Sequence, residues 1–301
     1  MTETKGTSHR PVLAAGSRLA MVWKGQREDR GLWFALWQDR ERRWSPQQPV
    51  RVSGGAPDTR HAPGLWWSAE DELTLAWTDA ATARIQVARA AVPRGSTADE
   101  VTWTGRLDLG PDYVAEGGPV LGRFPGGALH LAWRARTGTQ IRFKRRAADG
   151  SWGSGPKAVP SARSDADPAI VLADLDSRPG LLYRAPDTGQ LKYRSLHEAA
   201  DTPSTVSLAS VTGVPAWAEI PHSWQGDYLR LMAWIPQGAD DVQLSTSSET
   251  GGWSTPVVAK GIRPTKAGLS AAGYRGRIFL AWSGAAHQMI EYLRLTPAEL
   301  T

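Results

Sequence analysis

The chain contains no cysteine. Disulfides, thiolate metal sites and thiol nucleophiles are therefore excluded, and either redox compartment is open to it. Phenylalanine is scarce, with four copies against fifteen tryptophans. No apolar run approaches the ~18 residues that a membrane-spanning helix needs, so no membrane insertion is expected. The opening residues, Met1-Thr2-Glu3-Thr4-Lys5-Gly6, show neither a basic start with an apolar stretch nor an Arg-rich amphipathic pattern. That predicts a cytoplasmic protein made without a targeting peptide. Helical periodicity is missing too. Short apolar runs separated by Gly- and Pro-rich turns take its place, which points to an all-β protein.

What is present suffices for a core: 301 residues, 41% hydrophobic and 22% charged. The net charge of +5 raises the question of nucleic acid. The basic residues are scattered, however, and Arg142-Phe143-Lys144-Arg145-Arg146 is the one dense cluster. Strand alternation sends Arg142 and Lys144 to one solvated face, so no nucleic-acid partner is expected.

The chain repeats. Six short runs end in an aromatic: Leu19 to Trp23, Leu73 to Trp77, Leu129 to Trp133, Gly180 to Tyr183, Leu229 to Trp234 and Ile278 to Trp282. Those aromatics are spaced 54, 56, 50, 51 and 48 residues apart, the period of a four-stranded propeller blade. About ten residues before each run lies another strand, opened in five copies by Pro11, Pro63, Pro119, Pro168 and Pro215, where proline is tolerated. The sixth copy is Ala267-Gly268-Leu269-Ser270. A third strand follows each aromatic, and a fourth follows a turn often marked by tryptophan, as at Trp44, Trp103, Trp152 and Trp253. The expected fold is an all-β, six-bladed β-propeller of four-stranded antiparallel blades forming a single domain over 1–301. The approximate blades are 8–58, 59–112, 113–162, 163–210, 211–262 and 263–301. Little sequence follows the third strand of the last repeat, so that blade is expected to be three-stranded or closed weakly by the N-terminus.

Gly16-Ser17-Arg18-Leu19 through Trp23-Lys24-Gly25, then Leu32-Trp33 and Trp44-Ser45, follow the order of a lectin repeat, and Arg134, Arg184 and Ser283 stand after the aromatic in later copies. The chain thus resembles the bacterial β-propeller lectins of the Photorhabdus type, which have seven blades, and shares its architecture with six-bladed fucose-binding lectins. The resemblance implies sugar binding at several repeat-related sites, tryptophans stacking on sugar faces, and synthesis without a signal peptide. Asp149-Gly150-Ser151-Trp152 and Glu249-Thr250-Gly251-Gly252-Trp253 resemble truncated Asp-box turns of sialidases. The full box is absent, and such turns are structural.

A residue that fits every copy is read as structural, so the six aromatics and the inner-strand residues Leu13, Leu65, Leu121, Ile170, Trp217 and Leu269 are assigned to packing. Function is sought where one copy departs from the pattern. Trp66 stands where other repeats carry a smaller residue, and either plugs the central channel or floors a pocket. Arg123 and Glu219 are inner-strand charges that need a partner, in the protein or in a ligand. The loops leading into the inner strands bring Ser8-His9-Arg10, Arg60-His61, Glu116, Asp165 and Asp167 to one face, with His9 and His61 at equivalent positions. Loops after the aromatics add Lys24, Arg134, Arg136, Arg184 and Gln288, a mixed but somewhat basic entrance suited to an anionic or polyhydroxylated ligand.

Trp66, Arg123, Arg134, Arg184, Glu219 and His61 are accordingly the candidate ligand-binding residues, for a carbohydrate or small polar partner bound without catalysis. No metal or cofactor is expected. The alternative is a hydrolase or lyase acting on a glycan or small metabolite at one axial site, with His9, His61, Glu116 and Asp165 as acid-base groups.

Overall fold

The structure is a computed structural model that describes residues 6–123, 128–147, 149–153, 155–172, 179–196, 204–221, 228–247, 253–285 and 287–300. Strands dominate, with two single-turn 3-10 helices at Ala98–Glu100 and Pro297–Glu299. Among the described residues no helix is long and apolar enough to cross a membrane.

Every repeat is an antiparallel meander, because successive strands are joined by short turns and pair with their sequence neighbours. The first comprises β1 (Val12–Ala15), β2 (Leu19–Lys24), β3 (Leu32–Gln38), β4 (Arg43–Trp44) and β5 (Gln48–Pro49), with both short outer strands pairing β3. The second is β6 (Gly64–Ala69), β7 (Glu72–Thr78), β8 (Ile85–Ala91) and β9 (Trp103–Asp108). The third is β10 (Val120–Arg123), β11 (Leu129–Arg134), β12 (Gln140–Arg145) and β13 (Lys157–Arg163). Next come β14 (Ala169–Leu172), β15 (Pro179–Arg184), β16 (Gln190–Ser195), β17 (Ser204–Pro221), β18 (Tyr228–Pro236), β19 (Val242–Ser247) and β20 (Val257–Ala259), all hydrogen-bonded into one seven-stranded sheet. The last sheet has three strands, β21 (Pro264–Tyr274), β22 (Arg277–Gly284) and β23 (Ile290–Leu295).

The hydrogen bonds therefore do not divide the chain into six separate four-stranded blades. They give four sheets of at least four strands and one of three. The reason is β17. Its first part pairs β16 as the outer strand of one repeat, and its second part pairs β18 as the inner strand of the next. The chain passes between the two as one continuous strand, taking up the irregularity as a register shift between Thr212 and Ala216 where Gly213 turns to φ +73°. Two fourth strands also start later than their tryptophans suggest. Trp152 and Trp253 lie outside strands, and β13 and β20 begin at Lys157 and Val257.

The inner strands β1, β6, β10, β14, β17 and β21 neighbour one another in cyclic order, β21 returning to β1. The second strands are buried on both faces, as β2 shows along its whole length, because neighbouring repeats cover them. Apolar clusters accordingly lie between consecutive repeats. One joins Val22 and Phe34 to Leu65 and Trp77, and another joins Leu231 and Val242 to Leu269 and Leu280. A further cluster joins the last repeat to the first through Met21, Trp23, Trp37, Tyr274 and Phe279. No strand is exchanged at that closure among the described residues. Hydrogen bonds across it include Leu13 N–H to Ser270 Oγ at 3.0 Å, Ser283 Oγ to the Thr7 carbonyl at 2.7 Å, Tyr274 Oη to Asp39 Oδ2 at 2.9 Å, and the backbone bond from the Thr7 N–H to the Gln288 carbonyl at 2.8 Å.

Candidate functional site

The loops leading into the inner strands share a local device. Thr7, Thr59 and Ser164, at equivalent positions, each place a hydroxyl on the backbone two residues ahead, receiving the N–H of His9, His61 and Ala166 respectively. Such turns fix the backbone just before the proline that opens the strand, so the next side chains are delivered to one face. On that face His9 and His61 come together, with ring centroids 6.4 Å apart and planes nearly perpendicular.

Burial lowers the His9 pKa to about 4, with help from Lys24, His61 and Arg10. Burial also lowers His61, although Asp167 and Glu116 pull the other way. Both imidazoles are therefore neutral at pH 7. Asp167 is raised by burial, against the opposing effects of Arg10, the Gly118 N–H, His61 and Arg134. Its Oδ1 accepts from Gly118 N at 3.0 Å. Glycine is required beside it: a Cβ on Gly117 would collide with the Asp167 carboxylate, and one on Gly118 with the Ala62 carbonyl.

The remaining expected residues divide between the entrance face and the scaffold. Arg134 gives Nη2 to the Glu116 carbonyl at 3.2 Å, while the Glu116 side chain itself is exposed. Lys24 is only 3% exposed. Its ammonium is held by Ser8 Oγ and the carbonyls of Gly25, Arg27 and Asp29 at 3.0–3.2 Å, so it braces a loop instead of lining the entrance. Gln288 is likewise tied to the first repeat, accepting from Gln26 Nε2 at 3.1 Å and from the Thr7 N–H at 2.8 Å. Arg136 is exposed. Glu219 lies further along its inner strand, opposite Arg230, with Nε 3.8 Å from its carboxylate, so a structural pairing accounts for it. The Arg123 side chain lies outside the described residues.

Trp66 lines the central cavity together with Arg10, Leu65, Leu121, Trp217 and residues of the other inner strands. That space is narrow, about 70 Å³, so the indole narrows a channel instead of flooring a broad pocket. Tryptophan platforms are correspondingly few. Trp23, Trp77 and Trp133 are fully buried, Trp133 stacking on Tyr113 at 5.4 Å, and Trp253 stands out at 37% exposure.

A larger opening, about 570 Å³, lies between the fourth and fifth repeats on the same face. Asp165, Arg184, Thr212, Gln237 and Asp240 line it. Arg184 bonds Asp165 through Nη1 and the Val211 carbonyl through Nε at 2.7 Å, so its guanidinium is fixed in orientation at the pocket wall. Gln237 and Asp240 enter from the β18–β19 turn, the fifth copy of the loop that follows each aromatic, and sequence comparison did not single them out.

The fold is that of a β-propeller. The structure is similar to "Hadza microbial sialidase Hz136", with a TM-score of 0.67 and 12% identity over 98% of this chain and 67% of that one. It is also similar to the fucose-specific lectin from Aleuria aurantia, with a TM-score of 0.57 and 12% identity over 99% of both chains. A third likeness is to an exo-beta-1,3-galactanase from Phanerochaete chrysosporium, with a TM-score of 0.52 and 13% identity. There the match covers 81% of this chain and 61% of the galactanase, so the chain corresponds to under two thirds of that protein. No protein-family model matches the chain, and no curated protein matches it in sequence.

Proposed function

We propose that the protein is a carbohydrate-binding β-propeller, a ring of six repeat units that holds a sugar on its entrance face without turning it over. The observation that carries this reading is the 570 Å³ pocket between the fourth and fifth repeats. Its size is in the range of small-ligand clefts, and five polar side chains are among its lining residues. Arg184 supplies N–H donors, Asp165 and Asp240 supply acceptors, and Gln237 supplies both. A guanidinium held in place beside carboxylate and amide groups suits vicinal hydroxyls, which donate and accept at once. The similar structures, a fucose-specific lectin, a sialidase and an exo-beta-1,3-galactanase among them, support a saccharide ligand. The apolar clusters between successive repeats, continued from the last to the first, support the six-unit ring. Arg184 is the principal ligand residue in this reading. Arg134 and His61 belong to a neighbouring axial cluster.

A glycan array followed by calorimetry on the best ligand tests the proposal. Arg184→Ala and Asp240→Asn should each weaken binding about tenfold or more, a loss of ~1.4 kcal/mol. Affinity unchanged in both variants would sink it.

One observation favours the hydrolase or lyase alternative: His9 and His61 are brought together near Asp167, a cluster of acid-base groups at the axis. Against it, Asp165 is engaged by Arg184 and the Glu116 side chain is exposed. Turnover of the bound glycan that disappears in His61→Ala would decide for the enzyme.

A further inference from the structure

Arg10 stands at the start of the first inner strand, and its side chain lines the 70 Å³ axial cavity. It is 7% exposed, and its Nε is shielded from solvent without a hydrogen-bond partner. Among the described residues no side chain or carbonyl accepts from any of its guanidinium nitrogens, and no carboxylate lies within ion-pair distance. A guanidinium is a fork of five N–H donors that cannot shed its charge. Burying it unpaired is among the costlier arrangements a fold can hold. Asp167 is near enough to favour the charged form of Arg10, yet it is seated on the Gly118 N–H between the two glycines that make room for it. The contrast with Lys24 is informative, since that ammonium has four oxygen partners nearby.

We propose that the axial cavity is a binding site for a small oxyanion, a carboxylate or a phosphate-sized group, gripped by the fork of Arg10. Space fits chemistry here. About 10–15 Å³ of such volume holds one water, so 70 Å³ accommodates the four or five heavy atoms of acetate or phosphate. Beyond Arg10 the lining side chains are mostly apolar, including Val12, Leu65, Leu121 and Trp66, so among side chains the guanidinium is the charged group an anion would meet there. Formal charge alone does not demand the anion, because Asp167 and Glu116 offset Arg10 and Arg134. The unmet donors of Arg10 do. Asp167, raised by burial, is more readily protonated than an ordinary carboxylate and then turns from a repelling group into a donor. The site is separate from the Arg184 pocket and stands whether or not that pocket takes a sugar.

Thermal unfolding and calorimetry of the full chain at pH 7 test this, with acetate, phosphate and sulfate compared against chloride at equal ionic strength. At least one oxyanion should raise the unfolding temperature saturably by several degrees. Arg10→Met should weaken that effect at least tenfold, and Arg184→Ala should leave it intact. Arg10→Lys keeps the charge but loses the fork, so acetate should weaken at least fivefold, and this variant decides the matter if Arg10→Met does not fold. Equal effects of oxyanions and chloride, or an oxyanion effect unchanged in Arg10→Met or Arg10→Lys, overturn the proposal.

Discussion

Trp37 on β3 and Phe279 on β22 meet edge to face, with ring centroids 5.1 Å apart. The pair lies at the seam where the last repeat meets the first, and Trp44 and Tyr292 extend it, each within 6 Å of Trp37. The last sheet has three strands and among the described residues exchanges none with the first, so these rings, a few hydrogen bonds and the Arg275–Asp39 ion pair close the molecule.

Trp37→Ala should therefore destabilise the protein by ~3–5 kcal/mol, the usual cost of emptying a large aromatic site. Trp253→Ala, at an exposed ring, should cost ~1 kcal/mol or less. Urea titration of both variants checks the contrast. Comparable losses would mean that the seam is no more dependent on its aromatics than the surface is.

Stability should fall on acidification through the histidine range. His9 has a folded-state pKa of about 4 against 6.5 in the unfolded chain, so between those values the unfolded state binds a proton that the folded state refuses. Unfolding free energy then rises with pH across that window, by at most ~1.4 kcal/mol per pH unit for each such imidazole. The stabilising contribution is complete above pH 6.5 and lost towards pH 4. His61 shifts in the same direction. Chemical denaturation at pH 4.5, 5.5 and 7 should show this slope, flattened in His9→Gln.

Gly117 and Asp167 should behave as a coupled pair. Gly117→Ala pushes a methyl into the Asp167 carboxylate and should cost ~1–3 kcal/mol. In an Asp167→Ala background the same change should cost under ~0.5 kcal/mol, because its obstacle is gone. Additive effects in the double-mutant cycle would remove the steric account.

Lys24→Met should lower stability without touching sugar affinity. It leaves four oxygen atoms without their donor, a loss of about 1–3 kcal/mol or more where such groups stay buried. Reduced glycan affinity at unchanged fold would instead return Lys24 to the entrance.

The strands were largely legible in the sequence. Leu73 to Trp77 and Leu129 to Trp133 lie inside observed strands one or two residues longer, and Pro11, Pro63, Pro119 and Pro168 directly precede their inner strands. Alternation and proline act locally, so a sequence displays them. Lys24 and Arg10 show the limit. Both were visible as entrance cations, but whether a cation is saturated by carbonyls or left without partners depends on loop paths the sequence does not spell out. Gln237 and Asp240 sit in the same loop that supplies Lys24, Arg134 and Arg184 in other copies, but nothing in the sequence shows that this copy reaches over to the fourth repeat. The expected boundary between blades 163–210 and 211–262 falls inside β17, where the chain runs on through Thr212 and Gly213 with a register shift.

The continuous β17 also bears on how the molecule comes apart. In a ring of like units each junction is a separate packing surface, and units can loosen one at a time. Here a single backbone ladder runs through one junction, so the fourth and fifth repeats share their amide protection and should open together as one cooperative block. The Asp165–Arg184 pocket spans that same junction, and so rests on the pair of repeats least free to move independently.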